Sequence, residues 1–420
     1  MAGLLQGVRV IEVAQLMTGD FTGQLLADEG ADVVKFESPW RGDYLRDFLG
    51  QMKPHTRGHG PMHLALNRNK RSVAVDLRTD VGKGIFWEAL AQADVFLDGN
   101  TTGAMDKLGI GYDAQRAVKP DIVYAQSTGL GASGPYANIP THGLNMSGLA
   151  GTEALRRDEH GYIVRDDSDL THNIVGGSPV VMGPLYLAFG IASALLRRRI
   201  TGQGAYLDVG ASDAVLAGAW MSVVNMLNRD RIGADETGFD RAVAGSASSK
   251  YNFYETKDGK FVLAALIEHH FYEAFCKGLG REDLLEDGVG FVTKAVAIDW
   301  GPPSLRTELA EIFRTKTLAE WTAFAAEHDT VIGPAHQAAD LLDDPHLRHR
   351  EALLEYHHPT GGPMVLTGNP IKVAGEHYAI YRGAPALGQH TDEYLRQMGY
   401  DDDIVDRWRK DGVIGGAAES

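Results

Sequence analysis

Short runs of branched apolar residues alternate with amphipathic stretches through the first half of the chain. Gly7 to Val13, GVRVIEV, is one such run. Residues 22–28 then carry a helical spacing that ends at Gly30, where glycine accepts a left-handed cap without steric cost. ADVVKFE at 31–37 returns as a second strand. Strand, helix, strand is the unit from which parallel sheets with right-handed crossovers are built. The pattern recurs in SVAVDL at 72–77, a helix around 82–92, ADVFLDG at 93–99 and DIVYAQ at 121–126. The first half therefore predicts an α/β fold with a largely parallel sheet.

Residues 183–199 are apolar almost throughout and end in Arg197, Arg198 and Arg199, which predicts a buried helix with favourable charge at its C-terminus; AYLDVG at 205–210 follows as a strand. The stretch 225–250 is irregular and rich in Gly, Arg and Asp, as a linker would be. Beyond it, Tyr251 to Leu266 reads as two strands turned at Lys257-Asp258-Gly259, and helical patterns run over 271–285 and 304–328. From Ile332 the chain is polar and extended, closing on an amphipathic helix at 392–398. The division this implies is 1–224 for a large domain, 225–330 for a smaller α+β domain, and 331–420 returning to the large one.

Charge narrows the partners. With 56 acidic against 40 basic residues the net charge is −16, which opposes binding to nucleic acid or an anionic membrane and requires any anionic ligand to meet locally placed cations or helix N-termini. The one cysteine, Cys276, excludes a disulfide framework and a thiolate metal site. The first residues lack the pattern of a secretory signal, and the long apolar stretches carry polar residues, so the expectation is a soluble, cytoplasmic protein.

Several segments then coincide with one family. GVRVIEVAQLMTGDFTGQLLADEGADVVKFESPWRGDYLR resembles the opening of family III CoA transferases, the carnitine dehydratase/bile-acid-inducible type, which includes the related α-methylacyl-CoA racemases. LNRNKRSVAVDL, STGLGASGPYA, RRITGQGAYLDV and LGQHTDEYL continue the resemblance in the family's order, from residue 7 to about 396. It implies a Rossmann-like large domain built from both ends of the chain, a small inserted domain, and two subunits interlocked as a homodimer. It also implies a coenzyme A thioester as substrate, with no metal and no redox cofactor.

Phosphates call for arginine, lysine or backbone N–H groups, and a pantetheine arm for an extended groove. By resemblance the cofactor-binding residues are Gln15, Arg41, Arg46, Arg68, Lys70 and Arg71, with Gly129, Gly131 and Gly134 in the loop near the thioester. Asn100-Thr101-Thr102-Gly103 stands where the family usually has Arg-Pro-Gly, so one phosphate contact is expected to be missing. A transferase of this family attacks the thioester with an Asp carboxylate, whereas a racemase moves the α-proton between two bases. His142 and Glu268 match the racemases' paired His and Glu. Gly177 occupies the place of the Asp that both chemistries use, and Asp169 in RDDSDL is the carboxylate that a changed loop could supply. Three readings follow: CoA transfer between carboxylic acids, racemisation of an α-branched acyl-CoA, or acyl-CoA binding without turnover.

Overall fold

The structure, a computed structural model, describes residues 3–47, 60–165, 177–228, 230–231, 248–285, 291–292 and 297–416. The chain divides into a larger unit, Met1–Asp166 with Asn173–Leu227 and Glu351–Ser420, and a smaller one, Asp167–His172 with Asn228–Arg350.

The larger unit is built on strands β1 (Arg9–Ala14), β2 (Asp32–Glu37), β3 (Arg71–Val75), β4 (Val95–Gly99) and β5 (Val123–Thr128), then a short exposed hairpin of β6 (Leu155–Arg157) and β7 (Ile163–Arg165), and finally β8 (Ala205–Gly210). Six of these strands form a parallel sheet in the order β3-β2-β1-β4-β5-β8; the strand Ile414–Gly415, which the sequence pattern did not reveal, adds antiparallel to the outer edge of β3. Parallel strands are covered on both faces, and the alternating side chains divide accordingly. Val10, Val33, Val95 and Leu97 face Leu26 of helix α1 (Leu16–Asp28) together with Leu187 and Ile191 of a long helix at 179–201. Ile11, Phe36, Val73 and Phe96 face the opposite layer, where helix 80–91 contributes Ile85, Phe86 and Leu90, and the C-terminal helices contribute Leu395 and Val405.

α1 begins six residues before the expected helix because its inward face is polar rather than apolar. Asp20, Thr22 and Gln24 are buried alongside Gly19 and Gly23. A Cβ at Gly23 would overlap Glu12 Oε2, so glycine there lets the helix close over a buried ion cluster. In that cluster Lys35 Nζ donates to Glu12 Oε1 and to the Ala14 carbonyl at 2.9 Å each, contacts Asp20, and lies 2.9 Å from Asp43. Lys70 Nζ donates to the Asp20 carbonyl at 2.8 Å and to Asn67 Oδ1 at 3.0 Å, and pairs with Glu12 at 2.9 Å. Both lysine side chains are fully buried.

The helix expected at 183–199 spans Pro179–Thr201, with Pro184 tolerated in its first turns. It is not wholly buried: one face packs on α1, β5 and β8, while Phe189, Leu196 and Ile200 on the other are 72%, 62% and 76% exposed. By length and composition alone it could cross a membrane; a third of its most apolar window is buried within the protein.

In the smaller unit the hairpin forms between Tyr251–Glu255 and Phe261–Ala265, and its edge pairs with Ile332–Pro334. The expected boundary at 330 would cut this sheet, and the unit instead extends to Arg350. The expected single helix at 304–328 is two, Leu305–Phe313 and Leu318–His328, because Thr317 and Glu320 form a capping box that starts a new helix. Trp321, Phe275 and Phe313 fill its core.

Replacing Lys35 with Met leaves Glu12, Asp20 and Asp43 without their shared counter-ion. Urea unfolding is expected to show a loss of about 3–5 kcal/mol, as for other broken buried ion pairs; a loss below about 1 kcal/mol would remove the cluster from the stabilising framework.

Candidate active site

In a sheet ordered 3-2-1-4-5, the crossovers leave β1 and β4 in opposite directions, and a crevice opens beyond their carboxyl ends. Two adjoining cavities occupy this crevice. The first, about 470 Å³, lies over β1, β2 and β3 and includes Trp40, Arg41, Asp43, Asp76 and Arg78. The second, about 360 Å³, lies over β1, β4 and β5 and includes Thr128, Gly129, Gly131, Thr141 and His142. Gln15 and Asn100 line both. A further cavity of about 480 Å³ opens at the amino end of β2, between Gly30 and Arg382, away from these strand ends.

The cations of the first cavity stand on aromatic rings. Arg41 lies 4.1 Å from the Tyr44 ring centroid and Arg78 lies 4.7 Å from that of Trp40, which is 58% exposed. Arg78 also pairs with Asp76 at 2.9 Å. Arg41 Nη2 donates to Gln15 Oε1 at 3.3 Å. Arg41, expected from the resemblance to meet phosphate, lines this cavity. Arg78 was not foreseen; the available signal was its position just past the end of the third apolar strand.

The other expected phosphate ligands have different work. Arg46 makes a two-point pair with Glu37 at 2.9 and 2.7 Å and donates to the Pro385 carbonyl. Burial alone would raise the Glu37 pKa, but Arg46, Lys35 and Ser72 together hold it below the ordinary value. Arg68 pairs with Asp28 at 2.7 Å, Lys70 with Glu12, and Arg71 with Asp32 and Gln397. None of these four is among the residues that line the two crevice cavities, and their charges are matched inside the fold. The Asn-Arg-Asn-Lys-Arg run is therefore a structural brace rather than a solvated basic turn.

In the second cavity the loop after β5 turns at Gly131, whose φ is +93°. Thr128 Oγ1 accepts from Gly131 N at 2.9 Å, and the Asp208 carboxylate accepts from Ala132 N at 2.9 Å. Gly129 and Gly131 line the cavity, while Gly134 sits on the exposed outer turn. His142 opens helix 143–149, with its backbone N–H donating to Asn145 Oδ1 at 2.9 Å and its side chain exposed. It is the one titratable side chain among the described residues lining this cavity. Glu268 belongs to the smaller unit, at the N-cap of helix 269–279. Asp169 lies outside the described residues. Gly177 has φ +80° and precedes the N-cap Ser178 of the long helix.

Beneath the boundary of the cavities, Asp98 is buried at the end of β4 and accepts from Tyr124 OH at 2.7 Å and from Asn100 N at 3.0 Å. Burial raises the Asp98 pKa against the pull of these donors.

The sequence matches CoA-transferase family III over residues 5–391. The chain belongs to that family. It is 28% identical over 421 residues to an (R)-2-hydroxy-4-methylpentanoate CoA-transferase of Clostridioides difficile, covering 98% of this chain and 99% of the relative. It is also 28% identical over 415 residues to an α-methylacyl-CoA racemase of Mus musculus, covering 98% and 97%. A CAIB/BAIF family protein from Brucella suis shares the fold, with a TM-score of 0.69, 24% identity and 95% and 100% coverage. This is accordingly an acyl-CoA-processing enzyme of the family III kind, with a mixed α/β fold around a parallel-dominated sheet.

Two histidines near the braces must be neutral in the folded family member. His63 Nδ1 faces Asn67 Nδ2 at 3.1 Å and its Nε2–H donates to the Pro385 carbonyl at 3.0 Å; burial first, then Arg46, lowers its pKa to about 3. His390 Nδ1 accepts from Ser72 N, and burial, with Arg382 next, lowers its pKa to about 4. The unfolded chain protonates both below about 6.5 while the folded one does not, so their contribution is intact above pH 6.5 and fades as pH falls toward 4. Urea midpoints measured from pH 7.5 to 4.5 are expected to decline, and His63→Asn is expected to flatten part of that slope; an unaltered slope would contradict the assignment.

Proposed function

We propose that this enzyme moves coenzyme A from an acyl-CoA to a second, free carboxylic acid. The observation that carries this reading is the pair of joined cavities. A ligand with a polyanionic head, a thin arm and a reactive end suits one chamber edged by Arg41 and Arg78 and a second edged by the Gly129 to Gly131 loop. Guanidinium groups pair with phosphate oxygens through charge-assisted bonds, and Trp40 offers a flat apolar face beside Arg78 for a purine.

Asp169 is the carboxylate proposed as nucleophile. Its oxygen attacks the thioester carbonyl carbon and the CoA thiolate departs, leaving a mixed anhydride. The thiolate then attacks the aspartyl carbonyl, releasing the first acid as its carboxylate and leaving CoA bound to the enzyme as a thioester. The acceptor carboxylate retraces both steps, and Asp169 is regenerated. A second reading is favoured by His142 as the one titratable group on the described lining of this chamber: removal and return of an α-proton, with His142 as one of the two bases.

The reading includes an interlocked homodimer in which 225–330 forms the core of an inserted domain. In support, Val181, Leu185, Phe189, Leu196 and Ile200 leave an apolar face on the long helix, and helix 220–227 has no buried residue at all.

Acyl-CoAs incubated in deuterium oxide with and without free carboxylic acids separate the chemistries. Transfer is expected to give a new thioester only when an acid is added, and Asp169→Asn is expected to lower that rate by at least 100-fold. Acceptor-independent α-deuterium uptake that disappears in His142→Ala would establish racemase chemistry instead, and retained binding without either product would mean a non-catalytic acyl-CoA binder. Light scattering is expected to give twice the 45.5 kDa of one chain; a monomer would reject the dimer.

A further inference from the structure

We propose that Asn100 and Gln15 form a two-point clamp for a secondary amide of the ligand, one donor and one acceptor set at the boundary shared by the two cavities. The clamp rests on the acyl-CoA reading, since the arm of coenzyme A carries two such amides.

Hydrogen-bond chemistry fixes both orientations. Asn100 lies with one terminal atom 2.7 Å from the Val13 carbonyl and 3.0 Å from Asp98 Oδ1. Both neighbours accept, so that atom is the Nδ2 donor and Oδ1 is turned the other way. Gln15 has one terminal atom 3.3 Å from an Arg41 nitrogen. Guanidinium only donates, so that atom is Oε1, and Nε2 is turned away from Arg41. Asp98 does not rotate freely either, because it is buried, receives the Tyr124 hydroxyl at 2.7 Å and receives Asn100 N at 3.0 Å. Among the described residues no protein group is bonded to Asn100 Oδ1 or Gln15 Nε2, and both residues line both cavities.

What the boundary offers is therefore one fixed acceptor and one donor. A secondary amide presents the converse, an N–H and a carbonyl. A phosphate has no N–H to give to Asn100, and a plain acyl chain has neither group. Asn100 follows β4 directly, and its amide is braced by the buried Asp98 carboxylate. Asn100 touches the arm in this assignment; Asp98 and Tyr124 are positioning residues.

The test uses the intact enzyme, one acyl-CoA, and two analogues in which one or the other pantetheine amide N–H is replaced by CH2, with affinities read by calorimetry. The wild-type enzyme is expected to bind one of the two analogues about 5- to 20-fold more weakly than the parent, the loss of one hydrogen bond. Asn100→Ala is expected to bring that ratio close to one. Gln15→Ala is expected to weaken parent and analogue alike, because the carbonyl is present in both. Equal wild-type affinity for all three ligands, or an unchanged ratio in Asn100→Ala, overturns the clamp while leaving the acyl-CoA reading intact. Unaltered parent affinity in Gln15→Ala removes the donor half. If the wild-type enzyme binds none of the three, the acyl-CoA reading falls and the clamp with it. The wild-type comparison needs no variant, so a folding defect in Asn100→Ala cannot mask the result.

Discussion

Lys35 sits at the base of the site. Its ammonium group, wholly buried, holds the Ala14 carbonyl at the end of β1 and contacts Glu12, Asp20 and Asp43. Asp43 in turn accepts from Leu16 N at 3.3 Å, at a residue whose φ is +63°. A branched side chain in the left-handed region costs on the order of 1 kcal/mol and persists only where the surroundings over-determine it. The two bonds do so from either side of Gln15, which projects into the crevice from between them. Burying ammonium and carboxylate groups costs several kcal/mol for each ion, so the cluster is retained only because almost every oxygen and proton finds a partner. Burial, with Asp43 and Glu12 adding to it, pushes the Asp20 pKa well up despite Lys35 and Lys70, which is the direction that relieves three carboxylates facing two lysines.

The strands were legible because a two-sided parallel sheet writes its burial as unbroken apolar runs. α1 was only half legible: its apolar spacing begins at residue 22, but its first turns bury Gly19 and Asp20 against the ion cluster, and periodicity counts such residues as solvated. The two-residue strand at Ile414–Gly415 is too short to carry any pattern. The long helix at 179–201 was readable as a helix and misread in environment, since apolar composition does not say whether its outer face meets the same chain.

The cations show the same limit more sharply. Arg41, Arg46, Arg68, Lys70 and Arg71 look alike in sequence, as basic residues near strand ends. What separates them is whether a carboxylate lies inside reach: Glu37 claims Arg46 from nine residues away, while Asp28, Glu12 and Asp32 claim the next three from distant stretches of chain. Among the described residues Arg41 reaches no carboxylate and stacks on Tyr44 instead, which leaves its charge at the cavity wall. The pairing of charges decides which of these cations face the crevice cavity.

Gly177 bears on the mechanism through its backbone. Its φ of +80° is a conformation that side-chain-bearing residues rarely adopt, and a Cβ there would meet Met182 Cγ and Sδ at 3.3 Å. The backbone at residue 177 thus favours glycine, with the Met182 side chain close beside it. A carboxylate-bearing residue at that position would carry the strain of the positive φ and press on the Met182 side chain. Both proposed routes accordingly look elsewhere than residue 177 for their acid or base. What the chamber itself presents is a glycine loop pinned by Thr128 and Asp208, an asparagine amide held by the Val13 carbonyl and Asp98, and a histidine at its wall.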